Sequence, residues 1–303
     1  MTPPAHVPAI QAAFVSLITG NDERSSIRML IDSIRSFGGT LSGCPVLLFE
    51  TSPGAADPWR SGEAGVTVFP LIVPDDLEGY PLAAKVYACA RAEDRARESG
   101  ARSLIWIDRC CLVVNPPVLF DLGGRFDAAA RPVHHRNVGL PAGGALDEYW
   151  REVYGAVGIR DTSAVVESFV EAERIRAYFN THAFAVDPGK GLFREWYEAF
   201  RGLVGNEDFQ SGPCRDESHQ IFLHQAVLSA LLAAALDWQR IRILPPEYNY
   251  PYNLHESVPA ARRARALNDL ATVVYEGRSL DPGVVGDIEL REPLSSWLSA
   301  HVS

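Results

Sequence analysis

Asp108 closes the short unbroken apolar run Leu104 to Ile107, LIWI. Such a run expects burial on both faces, as in a central strand covered by helices. A carboxylate is costly to bury in an apolar layer, so Asp108 belongs at the strand's mouth, paired or wet. In open α/β sheets ligands bind at that mouth, by the carboxyl ends of the strands. The plain alternative is a strand-end Asp that starts a turn or pairs with Arg109. A second acidic pair, Asp216-Glu217, precedes the apolar segment Ile221 to Leu236. Asp216 suits an N-cap, and Asp216, Gln220 and His224 repeat at helical spacing, so they could face one cleft. His134 and His135 would point to opposite faces of a strand and would not share a metal. His182, two residues after Asn180, shares a strand face with it. Tyr248, Tyr250 and Tyr252 could stack on a sugar, although packing is the simpler role.

The elements that would position these groups alternate. Phe14 to Ile18 reads as a buried strand, followed by the turn-forming Thr19-Gly20-Asn21-Asp22. Ser25 or Ser26 would cap a helix carrying Ile27, Leu30, Ile31 and Ile34 and ending at Gly38-Gly39. Strands follow at Pro45 to Phe49 and Val66 to Val73, then a helix over Leu82 to Ser99 that leads straight into the Asp108 strand. The alternation predicts a largely parallel sheet with right-handed crossovers. Beyond it, the expectations are a strand over Arg131 to Asn137 and helices over Asp147 to Val157 and Ser163 to Tyr178. A strand over Asn180 to Val186, a helix over Leu192 to Leu203 with an aromatic core face, and a buried helix over Ile221 to Leu236 come next. Short strands at Ile241 to Leu244 and Thr272 to Tyr275 close the pattern.

Composition bounds the function. The chain has 303 residues, 47% hydrophobic and 22% charged, so a well-buried core is expected. A net charge of −10 makes nucleic acid a poor partner. Only Lys85 and Lys190 are lysines, whereas Arg and Ala are abundant, a bias that fits a GC-rich bacterial genome. The five cysteines lack Cys-x-x-Cys spacing and read as reduced thiols of a cytoplasmic protein. The start, MTPPAHVPAI, carries no leader pattern, and no segment is long and apolar enough to span a bilayer. No Walker loop, Gly-x-Gly-x-x-Gly, Gly-x-Ser-x-Gly or His-Glu-x-x-His occurs.

The order of the weaker elements resembles the GT-A family of nucleotide-sugar-dependent glycosyltransferases over about Phe14 to Asn253. FVSLITGNDERSSIRMLIDSIR matches a first strand, nucleotide-side loop and helix; LAAKVYACARA precedes the central strand; and LIWIDRC stands where that family carries Asp-x-Asp. FNTHAFAVDP resembles its strand of Asn plus small residues, and DESHQIFLHQAVL its acidic helix start on the acceptor side. The resemblance implies an α/β fold, a GT-A-like, Rossmann-type mixed and mostly parallel sheet flanked by helices. It implies one domain over 1–303, with a nucleotide-binding half at about 12–120, an acceptor-side half at about 121–255 and a C-terminal extension at about 256–303. The activity implied is transfer of a sugar, as in hexosyltransferases, from a nucleoside-diphosphate sugar to an acceptor, and a homo-oligomer is compatible with it.

Under the same resemblance Thr19, Gly20, Asn21 and Asp22 lie against the nucleoside, Lys85 approaches a phosphate or the ribose, and Asn180 and His182 approach the donor sugar. Asp108 takes the first position of a motif that holds Mn²⁺ or Mg²⁺. The second carboxylate is missing, because Cys110 stands in its place and suits a hard cation poorly. Arg109 could instead neutralise the diphosphate. For inverting transfer, Asp216 or Glu217 would deprotonate the acceptor hydroxyl; a retaining enzyme would not need them. Two other readings compete. One is a non-catalytic sugar-nucleotide-binding or scaffold protein, favoured by the missing carboxylate; the other is a nucleotidyltransferase, which expects a Gly-rich loop where LITGNDERSS supplies only Gly20.

Overall fold

A computed structural model describes residues 12–62, 65–286 and 288–302. The first ten residues, read above for a leader, lie outside them. The elements of the first half are strands β1 (Ala12–Ile18), β2 (Val46–Glu50), β3 (Val66–Pro70), β4 (Ser103–Ile107) and β5 (Cys111–Val113), with helices α1 (Arg24–Phe37) and α2 (Ala83–Ser99). Then come β6 (Ala128–Ala130), α3 (Glu148–Ala156), β7 (Val165–Glu167), β8 (Arg174–Arg176), β9 (Ala183–Val186), α4 (Leu192–Val204), α5 (Glu207–Ser211) and α6 (Glu217–Ala235). Strands β10 (Ile241–Ile243), β11 (Tyr250–Pro251) and β12 (Thr272–Val274) and helix α7 (Leu294–His301) complete the chain.

Seven strands form the central sheet in the order β10-β6-β9-β4-β1-β2-β3. β1 pairs in parallel with β2 and β4, β2 with β3, and β10 with β6, whereas β9 runs antiparallel to both β4 and β6. The chain first steps outward from β1 to β3, then returns to place β4 on the other side of β1. The order therefore reverses between β1 and β4, and a crevice opens at their carboxyl ends.

Alternation along the buried strands divides the core into two layers. Ala13, Val15, Leu104 and Trp106 face α2, α4 and α6, while Phe14, Ile105 and Ile107 face α1. Buried Glu93 on α2 accepts the N–H groups of Phe193 and Arg194, which have no partner within α4's first turn, and so locks α4 onto α2. Burial raises the Glu93 pKa against those hydrogen bonds.

Two expectations fail in the second half. The strand expected over Arg131 to Asn137 lies earlier, at the all-alanine β6, because Arg131 leaves the sheet to donate to the carbonyls of Pro245 and Tyr248. The helix expected over Ser163 to Tyr178 is instead the antiparallel pair β7 and β8. β-branched Val165, Val166 and Ile175 favour strands, and the intervening turn places Ala172 at φ +58°. The other elements stand within a few residues of the expected positions. The aromatic face of α4 is core, with Phe193, Trp196 and Phe200 fully buried, and Tyr248, Tyr250 and Tyr252 are buried packing residues.

The C-terminal segment is tied into the sheet region. β12 pairs antiparallel with β5, the strand that begins three residues after Asp108, and parallel with β11 on its other side. This pairing brings Tyr275, Glu276 and Gly277 beside the mouth of β4.

Candidate active site

A cleft of about 850 Å³ lies at the carboxyl ends of β1 and β4. Its wall takes Leu17 and Thr19 from β1 and the loop after it, Lys85 from α2, and Trp106, Asp108, Arg109 and Cys110 from β4 and the turn beyond it. Thr181 and His182 enter from the start of β9, Phe222 and His224 from α6, and Glu276 from the turn after β12.

Asp108 is held on every side. Its backbone N–H donates to the His182 carbonyl at 2.8 Å, and its carbonyl accepts from the Cys111 N–H at 2.9 Å, so strand end and turn are fixed together. The Lys85 ammonium lies 2.8 Å from Asp108 Oδ2 and donates to the Thr181 carbonyl at 2.6 Å. Trp106 Nε1 donates to Asp108 Oδ1 at 3.0 Å, and its ring stands 5.1 Å from the Lys85 nitrogen. Lys85 is only 4% exposed, which requires a fixed counter-charge.

Two further carboxylates line the cleft, neither singled out from sequence. Glu23 accepts from the Thr19 N–H and hydroxyl at 2.7 and 2.8 Å and pairs with Arg109 Nε at 2.8 Å. It thus ties the loop after β1 to the turn after β4. Thr19 and Glu23 stand four residues apart, one more than the capping-box spacing, so no standard local signal pointed to Glu23. Glu276 lies 2.5 Å from His182 Nε2. A carboxylate directly after a TVVY strand meets the same strand-mouth criterion that selected Asp108.

Asn180 is buried behind His182: its Oδ1 accepts from the His182 backbone N–H at 2.7 Å and from Nδ1 at 2.9 Å. With an acceptor on each ring nitrogen, His182 favours the imidazolium. Burial opposes that charge, but Glu276, Cys110 and Asp108 outweigh it and raise the His182 pKa. The hydrogen bond from His182 in turn holds Glu276 below its ordinary value. A hydrogen bond from Cys111 lowers the Cys110 pKa against burial, with His182 adding to the effect, whereas burial drives Cys111 up. His224 donates from Nδ1 to the Ile221 carbonyl and accepts the Thr181 hydroxyl on Nε2, and burial keeps it neutral.

The structure brings together Thr19, Lys85, Asp108, Arg109 and His182. Gly20, Asn21 and Asp22 follow Thr19 but are not among the residues lining this cleft, and Asn180 acts from behind. Asp216 and Glu217 are exposed and do not line it either. Asp216 turns back on its own helix, accepting the His219 N–H at 3.0 Å and lying 2.5 Å from His219 Nδ1, and α6 reaches the cleft through Ile221, Phe222, His224 and Gln225. His134 and His135 do not share a site: His134 Nε2 bonds the Asn249 carbonyl and His135 pairs with Glu171.

A hard divalent cation does not fit the donor groups present. Asp108, Cys110 and His182 offer one ligand atom each, all within 4.8 Å of one another, and among the described residues they form the one such group. Mg²⁺ and Mn²⁺ take oxygen ligands, and here a thiol and an imidazole make up two of the three.

No protein-family model and no curated protein matches the sequence. Solved structures do match. The galactosyltransferase LgtC in complex with donor and acceptor sugar analogues superimposes at a TM-score of 0.55 and 12% identity, over 96% of this chain and 95% of that one. An active-site mutant of LgtC gives 0.50 and 12% over 95% and 93%. The bifunctional glycosyltransferase WbbM in its apo form gives 0.53 and 14% over 90% of this chain, which spans only 47% of WbbM's length. The likeness is one of fold, and the fold is the GT-A type of these glycosyltransferases. No helix among the described residues is long and apolar enough to cross a membrane.

Proposed function

We propose that the chain is a glycosyltransferase that binds a nucleoside-diphosphate sugar at the β1/β4 crevice and transfers the sugar to an acceptor. The observation that carries this reading is the convergence of Thr19, Lys85, Asp108, Arg109 and His182 at the point where strand order reverses. Lys85 and Arg109 would meet the diphosphate, and His182 the donor sugar. Thr19 also borders a second hollow of about 620 Å³, with Thr51, Val73 and Tyr80 in its wall, where the nucleoside would lie beside the loop Gly20 to Asp22. The residues of the cleft supply positioning and charge, and no step is assigned to a hard metal ion. In a thermal-shift screen of nucleoside diphosphates, one base is expected to raise Tm without added Mn²⁺; no response to any of them contradicts the proposal.

For an inverting transfer, Asp216 or Glu217 at the open start of α6 would serve as the acceptor-side base. Asp216→Asn separates this role from capping, because Asn caps as well as Asp while it cannot take a proton. The expected result is an unchanged Tm in both Asp216→Asn and Glu217→Gln, with turnover lowered by about 10²-fold or more in one of them. Asp216→Ala should also lose about 1 kcal/mol of stability, read from urea unfolding. Turnover retained in both isosteric variants would rule out Asp216 and Glu217 and move the base to one of the carboxylates in the cleft, such as Glu276.

A second reading has its own observation. Every carboxylate of the cleft is already paired: Glu23 with Arg109, Asp108 with Lys85 and Glu276 with His182. A site so neutralised suits binding without chemistry. Binding of a nucleoside diphosphate with neither hydrolysis of its sugar conjugates nor transfer across an acceptor panel would favour that non-catalytic role.

A further inference from the structure

We propose that Asp108, Cys110 and His182 form a binding site for a borderline transition-metal ion of the Zn²⁺ type. This assignment stands on the ligand atoms and does not depend on the transferase reading. One carboxylate oxygen, one thiol sulfur and one imidazole nitrogen within 4.8 Å of one another match the S, N and O donors that such ions take, and not the all-oxygen shell of Mg²⁺ or Mn²⁺. Three protein ligands leave a coordination position open, and all three residues face the 850 Å³ cleft, from which a water or a ligand oxygen could fill it.

The surroundings of the three groups are a second, independent observation. Metal-ligating side chains are oriented by outer partners, and His182 and Asp108 each have them. Asn180 Oδ1 holds the His182 Nδ1–H at 2.9 Å, which leaves Nε2 as the ligating atom. Trp106 and Lys85 each donate to a different oxygen of Asp108, which orients the carboxylate while further lone pairs stay free. Glu276 Oε1, 2.5 Å from His182 Nε2, is among the described residues the one neighbour that has to turn aside for an ion to reach that nitrogen.

The test titrates the metal-free protein with Co²⁺ and Zn²⁺, Mn²⁺ and Mg²⁺ being the comparison ions. The expected result is one equivalent of Co²⁺ bound with a thiolate-to-cobalt charge-transfer band, displaced by Zn²⁺, and a Tm raised by Zn²⁺ but not by Mn²⁺ or Mg²⁺. Cys110→Ser should lose the band, while Cys44→Ala, at a thiol outside the group, should keep it. Asn180→Ala should weaken Zn²⁺ binding about 10- to 100-fold, as loss of an outer partner does. Cys110→Asp restores an oxygen donor and should shift the preference toward Mn²⁺, a gain that misfolding cannot imitate. Absence of a charge-transfer band in the wild type, its survival in Cys110→Ser, or equal stabilisation by Mn²⁺ and Zn²⁺ overturns the proposal.

Discussion

Asp108→Ala is expected to destabilise the protein by about 3–5 kcal/mol, the cost of stripping a buried ion pair of one partner. The Lys85 ammonium, with its side chain 5% exposed, would keep the Thr181 carbonyl and the Trp106 ring but no counter-charge, and the Trp106 indole N–H would lose its acceptor. The penalty comes from the stranded charge, so the double variant Asp108→Ala/Lys85→Met should recover much of it. Urea unfolding of the wild type, the two single variants and the double variant measures the coupling. Additive losses would show that Lys85 and Asp108 do not depend on each other, and the electrostatic frame of the cleft would then be misassigned. Lys85→Met alone should leave Asp108 with the Trp106 hydrogen bond and partial access to water, and so cost less.

Stability should peak near pH 6.5 and fall on either side. His134 and His224 are held neutral, chiefly by burial, with pKa values pushed well below the ordinary 6.5. Above that value both folded and unfolded chains carry them neutral. Below it the unfolded chain takes up protons that the folded chain refuses, so stability drops by up to about 1.4 kcal/mol per pH unit for each histidine. The loss continues until pH reaches the lowered folded value. His182 acts in the opposite sense, because its folded pKa is raised. Its contribution is complete below 6.5 and is lost as pH rises through the folded value. His224→Asn should flatten the acid limb and Glu276→Gln the alkaline limb, each read as midpoint denaturant concentration against pH. Limbs unchanged in both variants would refute these assignments.

Much of this frame was legible in the sequence, for a physical reason. β4 is an apolar run too short for a helix and too dry for a surface strand, so its terminal carboxylate had to emerge at a sheet mouth. α2 precedes it directly, which placed Lys85 on the same side. Asp216 as an N-cap followed from residue type alone. What stayed hidden depends on distant contacts. Glu276 reaches His182 across 94 residues because β12 pairs with β5, and no local pattern announces that pairing. The stretch of β7 and β8 carries mixed apolar and charged residues that fit a helical period as well as a strand period, and only the left-handed turn at Ala172 decides between them. Arg131 looked like part of a strand, yet its guanidinium is committed to carbonyls of the loop after β10.

The most direct test of the central claim is release of free nucleoside diphosphate from a panel of nucleoside-diphosphate sugars, with wild-type protein and with Lys85→Met side by side. Turnover of one donor by the wild type and its loss in the folded Lys85→Met variant is the outcome predicted. Wild-type protein that releases no nucleoside diphosphate from any donor, with or without acceptor sugars, or turnover that survives loss of Lys85, would contradict the account.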